Sequence, residues 1–325
     1  MVLFARSALL ALLLLSAITI AKGEGGPPLL APTRPFRWEP FLAPRGPVLV
    51  VVSLSAQELY VYRNGIRIGA SRVSTGRAGY ETPAGIYTIL QKEREHYSSK
   101  YDNAPMPYMQ RLTWSGVAIH GGRLPGYPAS HGCIRLPAAF ASILYSATDT
   151  ATTLVVVEAY QAPHFLRSNG SYLGSDAIAD FEGTQAQSYW QPDASKQGPL
   201  GIVVSAHDQQ VVVVRNGKEI GRAPAVFTQP MPPGTRAFML LEGVEDEPSP
   251  MVEGRLARRW IALDGVRSNQ ADTSPAMAPA GYPSIPQDFA RRLYDELVPG
   301  TTLIVTDEPL VAPESAMRIL QSDPE

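Results

Sequence analysis

Residues 48–70 read VLVVVSLSAQELYVYRNGIRIGA, and this stretch predicts β-strands joined by a tight turn. Val48–Ser53 and Glu58–Arg63 are rich in β-branched and aromatic residues, which is typical of strands. Asn64-Gly65 is a preferred dipeptide of two-residue hairpin turns, because both residues tolerate a positive φ. The folded part of the chain is therefore expected to begin with a β-sheet.

The residues that follow continue this pattern as far as Tyr160. Ile86–Leu90 and Thr153–Glu158 are strand-like, whereas Pro137–Ala147 carries apolar residues at helical spacing. One short helix among several short strands predicts a mainly β domain over residues 47–160.

The same pattern returns in the second half of the chain. Arg63-Asn64-Gly65 recurs as Arg215-Asn216-Gly217, and Thr152-Thr153-Leu154 recurs as Thr301-Thr302-Leu303. Several such identities at two nearby offsets indicate an internal duplication. The second copy is expected to span residues 199–308.

The segments outside these two domains have distinct compositions. Residues 1–21 place Arg6 before an apolar run that ends in small residues, the pattern of a cleaved secretory signal peptide. The run is shorter than the ~20 residues of a membrane span, which favours cleavage, after Ala21 or Gly23, over a retained anchor. We therefore expect an exported protein of the periplasm or cell envelope, with no transmembrane domain in the mature chain. The remaining segments are predicted to be a Pro-rich tether (22–46), a polar linker (161–198) and a tail (309–325).

Charge and cysteine content exclude several classes of protein. Lys and Arg number 28 against 30 Asp and Glu, so no basic surplus attracts nucleic acid. The single cysteine, Cys133, excludes an internal disulfide and any zinc site that needs two thiolates. A lone cysteine in an exported chain bridges to another molecule, hides in a core, or reacts.

Residues 118–137, AIHGGRLPGYPASHGCIRLP, bring together the groups that suggest chemistry. His120 ends a predicted strand, and Cys133 precedes the predicted helix, whose N-terminal partial charge would favour the thiolate. An imidazole that faces a thiol supplies the base and nucleophile that acyl transfer requires. A zinc site built from His120, His131 and Cys133 is disfavoured, because their spacing matches no common zinc pattern.

Two neighbours of the cysteine suit the same chemistry. Gly132 permits a tight turn, and the N–H groups around it point towards a developing oxyanion in this reading. Arg135 supplies a fixed positive charge for a substrate carboxylate, although a clamp within the loop explains it equally well. His96 lies in a polar stretch and is expected to be solvated.

The motif His120-Gly121 followed by Ser130–Arg135 resembles the catalytic signature of the YkuD-type L,D-transpeptidase domain. Thr82–Gly85 and Met106–Tyr108 are also similar to the family. The resemblance implies that both copies are L,D-transpeptidase-like β-sandwich domains, each with a short helix after the active-site loop.

The resemblance also implies roles for individual residues. Cys133 would be the nucleophile and His120 the general base and acid, with its ring oriented by the carbonyl of Gly121. The implied substrate-binding or oxyanion residues are Ser130, His131, Gly132, Arg135 and Tyr108. For His131 we favour a structural role in the loop over direct proton transfer, because one imidazole suffices as base. The family's cysteine mechanism requires no metal or other cofactor.

The reaction implied by the family acts on the stem tetrapeptide of peptidoglycan. The cysteine attacks the carbonyl of the third residue, releases D-Ala, and passes the acyl group to an amine of another stem or of an envelope protein. If water accepts the acyl group, the enzyme is an L,D-carboxypeptidase or endopeptidase. A non-catalytic peptidoglycan-binding scaffold is the alternative from another class.

The second copy lacks these groups. When Ala118–Gly121 is aligned with Ala262–Gly265, Asp264 takes the place of His120, and a deletion of about six residues falls on the cysteine loop. We therefore expect a degenerate copy without transpeptidation. It would cover the first domain's pocket, bind glycan or peptide, or hold a partner.

Overall fold

The computed structural model describes residues 35–165, 173–174, 188–227, 231, 233–267 and 283–310 of the chain. The fold is mainly β, as predicted. The elements of the first half are β1 Phe36–Trp38, β2 Val48–Ser53, β3 Glu58–Arg63, β4 Ile66–Arg72, β5 Gly85–Thr88, β6 Gln91–Glu93, β7 Met109–Arg111, β8 Ala118–Gly121, β9 Ile134–Leu136, α1 Ala138–Ala147 and β10 Thr153–Val157.

The second half repeats the same kinds of element. They are β11 His164–Phe165, β12 Tyr189–Trp190, β13 Leu200–Ser205, β14 Gln210–Arg215, β15 Lys218–Pro224, β16 Thr235–Pro248, β17 Leu256–Arg267, α2 Gln287–Glu296 and β18 Thr302–Thr306.

The first half contains two sheets. One has six strands in the order β1-β4-β3-β2-β10-β5, and the other has four in the order β6-β7-β8-β9. The predicted hairpin turn joins β3 to β4, with Asn64 and Gly65 at φ of 48° and 80°. A buried core that includes Phe140 of α1 lies between these two sheets. The four-stranded sheet carries the residues singled out by sequence.

In the second half the strands form one sheet of eight, in the order β11-β17-β16-β18-β13-β14-β15-β12. Its centre repeats the six-stranded sheet: β13, β14 and β15 are antiparallel neighbours, and β18 runs parallel to β13 as β10 does to β2. The β14–β15 ladder is irregular at Val213/Val214, and the β3–β4 ladder is irregular at the matching pair Val61/Tyr62. The duplication read from sequence is therefore visible in topology and in local backbone detail.

Successive residues of the central strands face two different cores. In β2, Val50 and Val52 face the core that contains Phe140, whereas Leu49 and Val51 face the second half of the chain. Side chains alternate across a strand, so burial on both faces requires a continuous apolar run. Burial on both faces therefore explains the continuous apolar runs of β2 and β14.

The two large sheets pack face to face over a shared core. From the first half it contains Leu49, Val51, Tyr60, Tyr62, Ala70, Ile86, Val155 and Val157. From the second half it contains Val203, Val212, Val214, Ala237, Met239, Leu241, Ile261, Leu263, Ile304 and Leu310. The second half therefore covers the face of the six-stranded sheet that points away from α1.

Two segments expected to be linkers are parts of the sheets, which corrects the sequence reading. Phe36–Trp38, assigned to the tether, pairs with β4, and Tyr189–Trp190, assigned to the polar linker, pairs with β15. Each short strand is held by a tryptophan ring that packs directly against a glycine of the neighbouring strand. A Cβ at Gly69 would lie 2.6 Å from Trp38, and one at Gly221 would lie 2.5 Å from Trp190. Proline-rich composition hid the first of these short edge strands, and polar composition hid the second.

A third strand in the expected linker, β11, pairs with the outer edge of β17. On its inner edge β17 pairs with β16, in the same way that β7 pairs with β6. The Ala262–Gly265 segment therefore does not occupy the position of β8, contrary to the sequence alignment. The error arose because a four-residue segment, identical only in its Ala and Gly, was matched without its neighbouring strands.

Several predictions concern residues outside the described part of the chain. They are the signal peptide, nearly all of the tail and most of the second copy's counterpart to the cysteine loop. Within the described residues, no helix is both long and apolar enough to span a membrane.

Candidate active site

The strand pair β8–β9 brings the predicted base and nucleophile into one region. The two strands are parallel, with His120 opposite Arg135, and Cys133 directly precedes β9. His120 is buried, with its Nδ1 atom 2.8 Å from the carbonyl oxygen of Gly121. In the neutral ring Nδ1–H then donates to that carbonyl, which leaves the lone pair of Nε2 free to accept a proton.

The thiol of Cys133 is half-buried and weakly hydrogen bonded. Its Sγ atom lies 3.5 Å from the carbonyl oxygen of Gly116. Burial raises the pKa of the Cys133 thiol, although the Ala118 backbone N–H and the charges of Arg135 and Arg111 act in the opposite direction. Burial also lowers the pKa of His120 to about 4. At neutral pH the resting pair is therefore thiol and neutral imidazole.

This protonation state corrects the expectation that the helix N-terminus holds the cysteine as a thiolate. Helix α1 begins only at Ala138, and strand β9 lies between it and Cys133. The influence of a helix terminus falls off within its first turn, so it does not offset the burial of the sulfur.

The loop that carries the cysteine is held by a relay of hydrogen bonds. Gly132 has a φ of +105°, a conformation that favours glycine, and its N–H donates to Oγ of Ser130 at 3.2 Å. The Ser130 hydroxyl in turn donates to the carbonyl of Cys133 at 2.5 Å. Thr82 donates to the carbonyl of Gly132 at 2.9 Å and accepts from the N–H of Gly76 at 2.9 Å. Thr82 was visible in sequence only as part of a motif, with no role assigned.

His131 is enclosed by aromatic rings. The ring of Tyr101 stacks on it at 4.6 Å with an interplanar angle of 19°, and Tyr80 meets it edge-on at 4.8 Å. These contacts are long-range in sequence, and no periodicity or motif indicated them. Through Tyr101, His131 contacts the segment between β6 and β7.

The residues described so far surround a cavity of about 480 Å³. Its wall includes His120, Gly121, Ser130, His131, Cys133 and Arg135. His96 also lines it, with Nδ1 2.6 Å from Oε2 of Glu93, so the expectation that His96 is solvated was wrong. The segment between β6 and β7 forms much of the remaining wall, which β7, the β7–β8 loop and the start of α1 complete.

Comparison with known proteins agrees with the family resemblance of the sequence motif. Residues 47–157 match the YkuD family, the L,D-transpeptidase catalytic domain. This part of the chain is therefore similar to a YkuD-type L,D-transpeptidase catalytic domain.

Two relatives come from Mycobacterium tuberculosis. L,D-transpeptidase 1 is 31% identical in an alignment of 123 residues that covers 33% of this chain and 49% of that protein. Probable L,D-transpeptidase 3 is 31% identical in an alignment of 106 residues that covers 28% of this chain and 39% of that protein. The chain thus spans about half the length, or less, of the curated relatives it matches. Among solved structures, an L,D-transpeptidase from Stackebrandtia nassauensis is 32% identical, with 37% of this chain and 59% of that chain covered and a TM-score of 0.33.

One residue expected to line the pocket of the transpeptidase domain lies elsewhere. The ring of Tyr108 packs against Tyr145 of α1, with centroids 5.8 Å apart, and does not contribute to the cavity wall. The Met106–Tyr108 motif contributes a backbone group instead: the carbonyl oxygen of Pro107 accepts a hydrogen bond from the N–H of Gly121 at 2.8 Å. A motif match could not distinguish a side-chain role from a backbone role.

The electrostatic character of this cavity is positive. Lys100, Arg111, Arg123 and Arg135 line it, and no Asp or Glu does so among the described residues. A negatively charged substrate is therefore favoured. Of these four, only Arg135 was singled out by sequence, because the other three lie outside the signature motif.

Proposed function

We propose that this chain is an exported peptidoglycan L,D-transpeptidase that acts through a cysteine thioester. The observation that carries the proposal is the orientation of His120: its Nδ1 atom is engaged by the Gly121 carbonyl in a cavity that also contains the Cys133 thiol. The family match of residues 47–157 supplies the reaction class.

The donor step begins from a neutral pair. As Cys133 Sγ attacks the third-residue carbonyl of a stem tetrapeptide, the thiol proton passes to Nε2 of His120. The tetrahedral intermediate then collapses, the peptide bond to D-Ala breaks, and the departing amine takes the proton from the imidazolium. The pKa values of both groups disfavour a resting ion pair, so proton transfer accompanies the formation of the carbon–sulfur bond.

In the acceptor step the protons are transferred in the reverse order. An amine attacks the thioester carbonyl and loses its proton to Nε2 of His120, and the carbon–sulfur bond breaks. The sulfur then recovers the proton, so the enzyme returns to its starting state. An amine of a second stem gives a 3→3 cross-link, whereas an amine of an envelope protein gives an attachment.

The remaining predicted residues support this site in different ways. Ser130 and Gly132 hold the loop, His131 is fixed by its aromatic neighbours, and Arg135 presents a positive charge to the cavity. The oxyanion role of the Gly132 N–H stays a prediction. It requires that group to leave its hydrogen bond to Ser130 when substrate binds.

The second half of the chain is proposed to be an inactive copy with a structural role. It contains no cysteine, and it packs on the sheet face opposite α1, away from the cavity. Of the roles considered from sequence, covering the pocket is the one that this packing disfavours. Residues 1–21 are proposed to direct export.

The proposal is tested with a carbapenem and with purified sacculi. Intact-protein mass spectrometry should show one covalent adduct on the wild type and none on Cys133→Ala, with His120→Gln strongly slowed. Muropeptide analysis should then show 3→3 cross-linked products. Tripeptides alone would identify a carboxypeptidase, and no adduct together with unchanged muropeptides would leave only the scaffold reading.

A further inference from the structure

Among the residues that the structure describes, the four cations of the cavity have no anionic partner. Lys100, Arg111, Arg123 and Arg135 take part in no ion pair among the described residues, and no carboxylate lines their cavity. Two of them make neutral contacts. Lys100 Nζ donates to the carbonyl of Ser115, and Arg111 Nε donates to Oε1 of Gln91 at 2.8 Å.

These cations flank the catalytic strand on both sides. In the four-stranded sheet, β7 and β9 are the two neighbours of β8, which carries His120. Arg111 of β7 lies opposite Ala118, and Arg135 of β9 lies opposite His120. One guanidinium therefore approaches the reacting groups from each side.

Each arginine is accompanied by a second cation. A Cβ at Gly122 would lie 3.3 Å from Cγ and Cδ of Arg135, so the Arg135 stem runs beside the backbone that leads to Arg123. On the other side, Lys100 Nζ lies 3.4 Å from the Cβ position of Gly116, a residue that follows β7 closely. The cavity thus has Arg123 and Arg135 on its β8–β9 side, and Lys100 and Arg111 on the side of β7 and the segment before it.

The arginines on both sides of β8 affect the pKa of the nucleophile. The charges of Arg135 and Arg111 each lower the pKa of the Cys133 thiol, against the larger effect of burial. Like charges gathered in one cleft repel one another unless a ligand supplies the counter-charge. Guanidinium groups bind carboxylates through paired hydrogen bonds, so carboxylates are the matching ligand groups.

We propose that the cavity contains two carboxylate-binding subsites, one at Arg123/Arg135 and one at Lys100/Arg111, on either side of the reacting thiol. The donor is then a stem peptide with two free carboxylates, the α-carboxylate of its second residue and the side-chain carboxylate of its third residue, and stems amidated at either position are poor donors. This inference rests on the proposed function, which supplies the peptide.

The test measures D-Ala release from three synthetic tetrapeptides. One has all carboxylates free, one has the second-residue α-carboxylate amidated, and one has the side-chain carboxylate of the third residue amidated. Wild-type kcat/KM should fall about tenfold or more on each amidation, as expected when a hydrogen bond between charged groups is lost. Arg111→Gln should cost a similar factor with the free peptide, but little with the peptide whose partner carboxylate is already blocked.

The matched control is Arg72→Gln, which removes an exposed arginine at the end of β4. Folding is checked by thermal unfolding. A second readout compares alkylation of Cys133 by iodoacetate and iodoacetamide, which differ in charge but share the chemistry. Arg111→Gln and Lys100→Gln should lower the iodoacetate-to-iodoacetamide rate ratio several-fold, and Arg72→Gln should not.

The outcomes separate the two proposals. If the wild type releases D-Ala equally well from all three peptides, neither subsite exists. If Arg111→Gln behaves like Arg72→Gln in both assays, the Lys100/Arg111 subsite does not exist. In both cases the transpeptidase proposal stands. If the wild type releases D-Ala from none of the peptides while a carbapenem still modifies Cys133, both proposals fail.

Discussion

The hydroxyl oxygens of Thr153 and Thr302 lie 3.0 Å apart, and each residue is the first of its strand in the two copies. They are separated by 149 residues, which is the spacing at which TTL recurs in the chain. A residue and its own duplicate are thus in contact at the interface between the halves. A contact between a residue and its own duplicate is the pattern of an isologous interface.

We expect the threonine pair to stabilise the interface between the copies. Both side chains are buried, so Thr153→Val leaves the hydroxyl of Thr302 without this partner, at a cost of ~1–3 kcal/mol in the free energy of unfolding. Thr302→Val should cost a similar amount. The double variant should cost less than the sum, because no hydroxyl is then left unpaired. Urea unfolding of the four proteins measures the coupling, and strictly additive losses would show that the contact has no energetic role.

The shared core predicts that the catalytic half is not independently stable. Truncation before Pro199 exposes Leu49, Val51, Tyr60 and Val155 to solvent. Each such side chain contributes ~1.5–3 kcal/mol by burial, and together they approach the ~5–15 kcal/mol stability of a typical domain. Size-exclusion chromatography should therefore show aggregation of the truncated chain, with little carbapenem labelling of Cys133. A truncated monomer with wild-type melting temperature and labelling rate would refute this prediction.

The hydroxyl of Thr82 is predicted to set the position of the cysteine loop. It bridges the N–H of Gly76 and the carbonyl of Gly132, and the side chain is buried. Thr82→Val keeps the shape but breaks both hydrogen bonds, so carbapenem acylation of Cys133 should slow by about tenfold or more through loss of alignment. Thr82→Ser should retain most of the rate. Equal rates for the valine and serine variants would mean that the loop is held by its packing alone.

Burial of His120 predicts a specific loss of stability in acid. Its pKa is lowered from 6.5 to about 4 in the folded protein, so below pH 6.5 the unfolded chain binds a proton that the folded protein does not. The free energy of unfolding should therefore fall as the pH decreases from 6.5 to 4. His120→Gln should remove most of this dependence, as measured by urea midpoints at pH 7 and 4.5.

The control for this acid effect is His207→Gln, since the side chain of His207 is 61% exposed. That variant should retain the wild-type loss of stability between the two pH values. An undiminished loss in His120→Gln would assign the acid sensitivity to other groups.

Local sequence patterns predicted much of the fold and the identities of the reacting groups. Asn64-Gly65 predicted its turn because two adjacent residues with positive φ satisfy the geometry on their own. The β-branched run of β2 predicted a strand, and the signature around Cys133 indicated the family, because both signals lie within a few consecutive residues. The edge strands at Trp38 and Trp190 were missed because their signal is a long-range contact with a glycine of another strand.

The sequence by itself determined the duplication, the β-rich class and the pairing of His120 with Cys133 as candidates for acyl transfer. The tertiary structure alone decided that Cys133 rests as a thiol, that Tyr108 packs away from the cavity, and that Lys100 and Arg111 enter it. Burial and charge proximity depend on residues far apart in the chain, so no local pattern encodes them. The same reason explains why the interface between the copies, in which Thr153 contacts Thr302, became visible only in three dimensions.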